Sequence, residues 1–302
     1  MTAIALPRFT MPDPWRLLRP LKLDGQWSTR QGVQFEESWR RKNYPWSGKD
    51  AFEIATSVGV TSNLELVLDV GDSTSYTGGQ SWADLSGNGY NFYRGATSAA
   101  QASDPTFNGT AGNLSSSEYW SFDGGDYFTY DSANETWMNN LHKDNASFTI
   151  LMTFYGASIG STQILCGTNA GSGAEPGFII YLESTSDVRF FCCNDSEIVG
   201  VAASALVPNG SAWNILSLTI DEGNSDGRIF LNGSTYSYDG SYHFATPTTN
   251  NAFTTMQIAA GGLGGSPVYS GTRMGVFMAW SNALSSAQNA NICDAIRGRY
   301  GI

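Results

Sequence analysis

The chain has 302 residues, 41% of them hydrophobic, which supplies enough apolar side chains for a sizeable core and excludes a wholly disordered protein. Aromatic residues make up 13%, glycine occurs 34 times and only 14% of residues are charged, a composition typical of an all-β protein with many turns. The formal net charge of −11 argues against a nucleic-acid partner, because the body of the chain would repel phosphates.

Residues 1–60 differ in composition from the rest and predict an extended arm. Nine of the 16 Lys and Arg residues fall within residues 1–50, and four prolines fall within the first 20 residues. Proline fixes φ and lacks an amide donor, so this part favours an extended or polyproline-like path. Its apolar side chains are expected to lie on another surface, either the sandwich of its own chain or a partner chain. The candidate anchoring residues are Trp15, Arg16, Leu17, Leu18, Arg19, Trp27 and Trp39.

The sequence carries no recognisable export or membrane signal. A secretory signal peptide needs an apolar run of about 7–15 residues behind a basic start, and the proline-rich beginning has none. A membrane-spanning helix needs roughly 20 apolar residues, and no such stretch is present. We therefore expect neither secretion by a signal peptide nor a membrane span.

Four cysteines, Cys166, Cys192, Cys193 and Cys293, form no recognisable disulfide or metal-binding pattern. Adjacent cysteines point to opposite faces of a strand, and no CxxC motif is present. We expect all four to be reduced thiols that act as small hydrophobic residues.

From Leu64 onward, short apolar runs between Gly, Ser and Asn clusters predict a series of strands. Two pairs of these runs, each joined by a polar turn, predict hairpins. The predicted strands are Leu64–Asp69, 117–122, 127–130, Ser147–Tyr155, Gly177–Leu182, 187–192, 213–220, 228–231, 256–259 and 275–280. Only residues 283–299 have helical spacing, with Ser285 as a plausible N-cap.

Two turns can be predicted in detail. Asn232-Gly233 follows a predicted strand and tolerates positive φ, as a tight hairpin turn requires. In residues 84–89 (DLSGNG), the side chains of Asp84 and Ser86 can accept hydrogen bonds from nearby backbone amides.

A set of segments follows in a characteristic order between residues 66 and 301. In chain order they are LVLDVG (66–71), SWADLSGNG (81–89), YWSFDGGDY (119–127), SFTILMTF (147–154), WNILSLTIDEGNSDGRIFLNG (213–233) and the closing strand, helix and RYG of residues 275–301. This order resembles that of laminin-G-like domains, which are common in phage and bacterial surface proteins. The resemblance implies an antiparallel jelly-roll β-sandwich of the concanavalin A-like class over residues 61–302, with an N-terminal arm over 1–60 and a short C-terminal helix.

Catalysis is not expected. Glycoside hydrolases among related sandwiches place two carboxylates on one strand face, about 5–5.5 Å apart in retaining enzymes. Here Asp221 and Glu222 are adjacent at a turn, and Glu65 stands alone on its strand. A Ser–His–acid triad needs a buried histidine, whereas His142 and His243 lie in polar loops and are expected to be exposed.

Calcium is the one metal that the resemblance implies. Many domains of this class hold Ca²⁺ at the sandwich rim with Asp, Asn and backbone oxygens. The alternative is that the aspartates cap their own turns. The candidate ligands are Asp69, Asp72, Asp84, Asp123 and Asp126.

Aromatic side chains are the candidates for sugar binding, since their faces provide platforms for pyranose rings. Core packing is the alternative for each. The candidates are Tyr93, Tyr119, Trp137 and Tyr242.

An extracellular-type sandwich, no export signal and a basic, proline-rich arm together predict a bacteriophage structural protein, either a capsid decoration or a tail or fibre appendage. Its arm, residues 1–60, would bind other virion proteins such as capsid, portal or tail. The sandwich would face outward from the particle surface as a symmetric homo-oligomer, with a host glycan as a further partner. One alternative is a secreted or surface carbohydrate-binding module without a virion role, and another is a glycan-degrading enzyme.

Overall fold

The computed structural model describes residues 48–156, 162–169, 175–183, 187–194, 198–203, 206–237, 244 and 247–302, with the backbone alone for 198–203. The chain divides after Asn43, and every described residue belongs to the unit Tyr44–Ile302. All seven candidate anchoring residues of the arm lie outside the described residues, and so do Tyr242 and His243.

The described residues form sixteen strands and three α-helices. The strands are β1 (Leu64–Asp69), β2 (Ser81–Trp82), β3 (Phe92–Arg94), β4 (Thr106–Asn108), β5 (Tyr119–Ser121), β6 (Phe128–Tyr130), β7 (Ser147–Tyr155), β8 (Gln163–Gly167), β9 (Gly177–Leu182), β10 (Val188–Cys193), β11 (Ile198–Ala203), β12 (Trp213–Asp221), β13 (Asp226–Leu231), β14 (Ser234–Ser237), β15 (Gln257–Ile258) and β16 (Arg273–Trp280). The helices are α1 (Ala51–Val58), α2 (Thr136–Asn140) and α3 (Ser286–Tyr300).

Two antiparallel sheets of eight strands each pack face to face. The first sheet has the order β14-β13-β12-β7-β16. On the far side of β16, β5 pairs with the start of that strand and is followed by β4, while β1 pairs with the remainder of β16. The second sheet has the order β11-β10-β9-β8-β15-β6-β3-β2. The predicted all-β antiparallel sandwich and its C-terminal helix are therefore confirmed.

Long strands and special turns agree best with the sequence predictions. Strands β1, β7 and β9 have the predicted bounds, and the two predicted hairpins are β9–β10 and β12–β13. Asn232 and Gly233 take φ angles of 51° and 92° in the turn before β14. Helix α3 begins at the predicted cap, where Ser285 and Gln288 form a capping box. The sequence predictions missed β2, β3 and β4, because runs of two or three residues are too short to show an alternation, and they also missed β8, β11 and β14.

The main core lies between the sheets and is built by alternation along each strand. In β7, Phe148, Ile150, Met152 and Phe154 all point into it. Fully burying such a side chain contributes about 1.5–3 kcal/mol. Trp120 packs edge-on against its neighbours here, with the centroid of the Phe128 ring 5.1 Å from its own.

A second apolar layer covers the outer face of the first sheet. Helices α1 and α3 supply Ile54, Ile292 and Ile296 to it, above strand residues that include Val67 and Val276. The part of the first sheet that lies under these helices is therefore buried on both faces.

Two threonines of β7 show the consequence of this second layer. Thr149 and Thr153 alternate with the core residues, so in an uncovered sheet they would face solvent, yet both are fully buried. The backbone N–H of Leu284 donates to Thr149 Oγ1, and that of Val276 donates to Thr153 Oγ1, both at 2.9 Å. These hydrogen bonds offset the cost of burying the hydroxyls.

Because it includes helix α1, the folded unit begins before residue 61, the predicted boundary. Asp50 caps the helix in a capping box with Glu53, and Gly59 ends it at a φ of 75°. Ala51 and Ala55 are fully buried against the first sheet. The segment just before β1 is therefore part of the sandwich unit, so the predicted arm has to be sought further towards the N-terminus.

A fully buried ion pair joins α1, β1 and the end of α3. Arg299 Nη1 lies 2.8 Å from both carboxylate oxygens of Asp69, and Nη2 donates to the Lys49 carbonyl at 2.7 Å. The same carboxylate accepts from the backbone N–H of Ala51, the first residue of α1, at 2.9 Å and from that of Gly71 at 3.0 Å. Burial opposes the charge on Arg299, but the Asp69 carboxylate more than compensates and raises the pKa of the guanidinium.

Two further expectations concern single residues. The four cysteines are free and buried, as predicted. His142 was expected in an exposed loop, but it is fully buried, and its Nε2 lies 3.1 Å from the carbonyl oxygen of Asn250. The loop containing Asn250 packs over it from more than 100 residues away, which the local polar sequence does not reveal. No helix among the described residues is long and apolar enough to cross a membrane.

Replacing Arg299 by methionine is expected to lower the free energy of unfolding by about 3–5 kcal/mol, because it leaves the Asp69 carboxylate buried without its cation. Urea unfolding at pH 7 measures the change. The matched control is Arg297→Met, since Arg297 pairs with Asp294 on the exposed face of the same helix and should cost at most about 1 kcal/mol. Equal effects of the two substitutions would contradict the structural role of the buried pair.

Candidate functional site

A groove of about 620 Å³ opens at the end of the sandwich where β1, α2 and the start of β7 meet. We call it the Tyr90 groove. Its volume lies in the range of small-ligand sites, about 300–1,000 Å³. It is lined by Glu65, Tyr90, Glu135, Thr136, Trp137, Asn140, Leu141, Lys143, Asp144, Asn145, Ala146, Ser147 and Ser281.

Asp84 organises the loop that carries Tyr90. One carboxylate oxygen accepts from the backbone N–H groups of Val67 and Ser86, both at 2.9 Å. The other accepts from the N–H groups of Gly89 and Tyr90, at 3.1 and 3.2 Å. The prediction that Asp84 bonds nearby amides is confirmed, and the consequence is a fixed position for Tyr90 at the groove.

Helix α2 places Trp137 beside Tyr90. The Asn134 side chain ties the start of this helix to the segment before β15 of the second sheet, by donating to Thr254 O at 2.7 Å and accepting from Met256 N–H at 2.8 Å. Trp137 is 8% exposed, and its ring centroid is 6.3 Å from that of Tyr90. Its indole N–H has no hydrogen-bond partner among the described residues, although the residue lines the groove.

Carboxylates dominate the electrostatics of the Tyr90 groove. Glu65, Glu135 and Asp144 line it against a single cation, Lys143. Burial, and then the neighbouring Glu135 and Glu65 carboxylates, raise the pKa of Tyr90. The groove therefore repels anions and presents many acceptors for hydroxyl donors.

The carboxylates are held in place by neighbouring hydroxyls. The Tyr130 hydroxyl donates to Glu135 at 2.8 Å, and the Ser281 hydroxyl donates to Glu65. Burial and the hydrogen bond to Glu135 both raise the pKa of Tyr130, so this hydroxyl remains a donor. Since a carboxylate has about four lone-pair sites, each of these two retains acceptor capacity for a ligand.

The candidate sugar-binding residues lie in different places. Trp137 lines the Tyr90 groove, whereas Tyr93 lies on β3 opposite Ser81 and Thr129 in the second sheet. Tyr119 lies on the outer face of the first sheet. Tyr90 is not among the predicted candidates, although its position directly after the Gly-rich turn of residues 84–89 indicates that it lies at a loop.

The five candidate calcium ligands each bind backbone N–H groups. Beside the contacts of Asp69 and Asp84, Asp72 accepts from Thr74 N–H, Asp123 from Gly125 N–H and Asp126 from Asp123 N–H, at 2.7–2.9 Å. Within the described residues, no group of three or more His, Cys, Asp or Glu side chains is placed to hold a metal ion. Turn capping, the alternative interpretation, accounts for these contacts, and calcium binding stays a prediction.

A second groove of about 520 Å³ lies over β6 and β15 of the second sheet. Its polar residues are uncharged, and Phe253 and Leu263 at its edge are 52% and 74% exposed. Leu263 takes a φ of 60° in the glycine-rich loop 261–265. The lining residues are Ala96, Tyr127, Thr129, Phe253, Thr254, Thr255, Gln257 and Leu263.

Comparison of the sequence with family models gives no match, and comparison with curated proteins gives none either. Solved structures with a similar fold include the binding domain of botulinum neurotoxin DC in complex with SialylT, with a TM-score of 0.53 and 12% identity over 78% of this chain and 52% of that chain. The Trypanosoma rangeli sialidase in complex with sialic acid has a TM-score of 0.52 and 12% identity over 79% and 34%. Botulinum neurotoxin type C, whose cell entry depends upon interaction with two ganglioside molecules, has a TM-score of 0.50 and 12% identity over 80% and 53%.

The chain shares the β-sandwich fold of these structures. It spans about a third to a half of the length of the similar chains. At 12% identity the likeness establishes the fold alone, so neither the activities nor the ligands of those proteins transfer with it.

The raised pKa of Asp126 predicts that the stability of the protein depends on pH. It is 3% exposed, and burial raises its pKa from an ordinary value of 3.8 to about 6. Between these values the folded protein binds more protons than the unfolded chain, so stability falls as pH rises from about 4 to 6. Asp126→Asn should therefore raise the free energy of unfolding by about 1–2 kcal/mol at pH 7.5 and leave it nearly unchanged at pH 4.

Chemical denaturation at both pH values measures this difference. Asp144→Asn serves as the control, because Asp144 is exposed and should show no such dependence. A gain at pH 4 that equals the gain at pH 7.5 would show that the raised pKa of Asp126 is not its cause.

Proposed function

We propose that this chain is a carbohydrate-binding module whose Tyr90 groove holds a neutral glycan. The observation that carries the proposal is the pairing of two aromatic side chains, Tyr90 and Trp137, with a set of carboxylate and amide acceptors in one groove. Sugar rings present apolar C–H faces to aromatic rings and hydroxyl donors to carboxylates. A groove of this composition meets both requirements.

The charge of the groove selects the kind of glycan. With three carboxylates and one lysine around it, a sialylated or sulfated sugar would be repelled, whereas a neutral sugar gains charge-assisted hydrogen bonds of the stronger class. Lys143 donates to Asn251 Oδ1 at 2.9 Å, which holds its charge away from the other lining residues. The similar folds in complex with SialylT and sialic acid support a glycan ligand, and the charge of this groove favours a neutral one.

Replacing Tyr90 by alanine is expected to weaken binding of a neutral glycan about tenfold, because it removes both the ring contact and the hydroxyl. A glycan array of neutral and sialylated oligosaccharides identifies the ligand, and calorimetry on the strongest hit measures the change. Glu135→Gln should weaken binding as well, since it retains the shape and removes the charge.

Tyr93→Ala is the matched control, a half-exposed tyrosine of the second sheet outside the Tyr90 groove. It should bind as the unaltered protein does, and thermal unfolding confirms that each variant is folded. Loss of binding in Phe253→Ala but not in Tyr90→Ala would place the ligand in the second groove and refute the proposal. Comparing the array with and without EGTA tests the calcium prediction on the same protein.

We further propose that the module is displayed on a bacteriophage particle, and that the N-terminal segment attaches it to capsid, portal or tail proteins. The basic, apolar and proline-rich composition of that segment favours this role, because the sandwich it precedes is acidic and has its own core. The resemblance of the motif order to laminin-G-like domains of phage surface proteins supports it too. Assembly into a symmetric homo-oligomer remains a prediction.

Two deletions test the anchoring role. Removing residues 1–43 should leave a folded sandwich that no longer copurifies with particles, since it spares Lys49, Ala51 and the rest of α1. Removing residues 1–60 should also lower the melting temperature, because it uncovers one face of the first sheet and takes two partners from the buried ion pair. Incorporation of the shorter deletion into purified particles at the normal level, or absence of the full chain from particles, would contradict the anchoring role.

Enzymatic activity is not part of the proposal. Glu65 and Glu135 share the Tyr90 groove, and we expect them to bind hydroxyls rather than cleave a glycosidic bond. Release of reducing sugar from any polysaccharide that the array identifies, lost in Glu135→Gln, would favour the glycan-degrading alternative instead.

A further inference from the structure

A row of side chains crosses the outer face of the first sheet, away from both grooves. Trp213, Tyr155, Arg273, Ser121 and Thr106 are directly opposite one another on β12, β7, β16, β5 and β4. Residues opposite one another in antiparallel strands point to the same face of the sheet. We call these five residues the Arg273 row.

The residues next to the row show that its side chains lie on the outer face of the sheet. Met274, the next residue after Arg273, points into the main core, so Arg273 points the other way. Trp213 belongs to the outer apolar layer, where the Tyr300 ring of α3 packs with its centroid 4.5 Å away. The helix ends at Tyr300, and the row continues beyond it.

Two tyrosines hold the Arg273 guanidinium between them. Its central carbon lies 4.6 Å from the ring centroid of Tyr119 and 4.5 Å from that of Tyr155. Both distances are within the range of a cation–π contact, about 6 Å. Tyr155 packs in turn against Trp213 with centroids 5.9 Å apart, so the stack rests on a buried aromatic base. The guanidinium is thereby oriented before any ligand arrives.

Arg273 is the exception among the arginines of the described residues. Each of the other five has an acidic partner or a backbone carbonyl partner. Those contacts are Arg94 to Pro105 O, Arg189 to Glu183, Arg228 to Asp226, Arg297 to Asp294 and Arg299 to Asp69. The guanidinium of Arg273 has neither an ion pair nor a hydrogen bond within the part of the chain that the structure describes, in a protein of formal net charge −11.

The polar groups around Arg273 also have hydrogen-bonding capacity that no described residue uses. The hydroxyls of Tyr119 and Tyr155 make no hydrogen bond among the described residues, and both side chains are half-buried. Beside them, Asn108 Nδ2 donates to Ser121 Oγ at 2.9 Å and to Thr106 O at 3.0 Å, which leaves the Asn108 side-chain oxygen for other contacts.

We propose that the Arg273 row is a second binding site, which recognises the carboxylate of an acidic sugar. A guanidinium matches a carboxylate with two parallel hydrogen bonds, and stacking removes most of the ordering cost that a mobile arginine would carry. The two phenol hydroxyls and the Ser121–Asn108 pair then supply contacts for ring hydroxyls. The carboxylate belongs to a sialic acid or to a uronic acid, and the experiment distinguishes the two.

This site is independent of the Tyr90 groove. The groove is lined by an excess of carboxylates and disfavours an anion, whereas the row centres on a cation that has no ion pair among the described residues. The two sites therefore take ligands of opposite electrostatic preference. Variants of one site leave the ligand of the other unaffected, so either proposal can fail alone.

The test is NMR titration of the full chain with three methyl glycosides, those of N-acetylneuraminic acid, glucuronic acid and glucose. We expect at least one acid to bind and the glucoside to show no response at the row. Arg273→Gln should weaken acid binding at least tenfold, since a hydrogen-bonded charge pair contributes about 1.5–3 kcal/mol. The affinity of Arg273→Lys for the acid should fall between those of the unaltered protein and Arg273→Gln. Lysine keeps the positive charge but cannot form the two parallel hydrogen bonds of a guanidinium. Raising the salt concentration should weaken acid binding in the unaltered protein.

The matched control is Arg297→Gln, which removes one exposed guanidinium of α3 and should leave acid binding unchanged. A purely structural role for Arg273 would lower the melting temperature without a charge-selective loss of binding. The proposal is overturned if neither acid binds, if Arg273→Gln binds the acid as before, or if Arg297→Gln loses the same affinity. A loss confined to Arg273→Gln, in a variant with an unchanged melting temperature, supports it.

Discussion

The buried ion pair between Asp69 and Arg299 is the interaction on which the arrangement of the first sheet depends. It joins the last residue of β1 to the end of α3, and through Lys49 and Ala51 it also fixes the start of α1. Burying two charges is costly, and the pair is tolerated because nearly every carboxylate lone pair has a donor in good geometry. One contact thereby docks both helices on the outer face. Without them, the apolar residues on that face would remain exposed, and the first sheet would be an open surface rather than an internal layer.

The same docking determines which part of the outer face remains available. Helix α3 covers the region of β16 beyond Val276, and its last residue, Tyr300, packs against Trp213. Beyond that contact the sheet continues through Arg273 towards Ser121, and no helix of the described part of the chain follows it there. The boundary between a buried layer and an accessible row thus lies where α3 ends. The C-cap glycine, Gly301, adopts a φ of 69° and stops the helix at that point.

Local signals in the sequence were sufficient for much of the fold. Strong alternation in β7, the capping box of Ser285 and the Asn232-Gly233 turn each depend on neighbouring residues, and each was predictable. The candidate sites were harder, because their partners are distant in sequence. Asp69 meets Arg299 across 230 residues, so an aspartate that only caps a turn and the anion of a buried ion pair look alike from sequence. Several segments of the chain form the Tyr90 groove. Of its two aromatic residues, Tyr90 and Trp137, only Trp137 is among the candidates predicted from the sequence.

The two proposed sites also differ in the contacts that stabilise their charges, and this difference matters because the whole chain is acidic. In the Tyr90 groove, Glu65 and Glu135 accept hydrogen bonds from the hydroxyls of Ser281 and Tyr130, so their negative charge is stabilised within the fold. At the row, Arg273 contacts the aromatic faces of two tyrosines and no charged group among the described residues, and these faces stabilise a cation without using its N–H donors. A net charge of −11 would draw any mobile surface arginine towards a carboxylate of its own chain. Stacking prevents this pairing, because it holds the guanidinium in place with no hydrogen bond from its edge to any described residue. The aromatic pair is therefore what keeps a cation available to an external anion on an acidic protein.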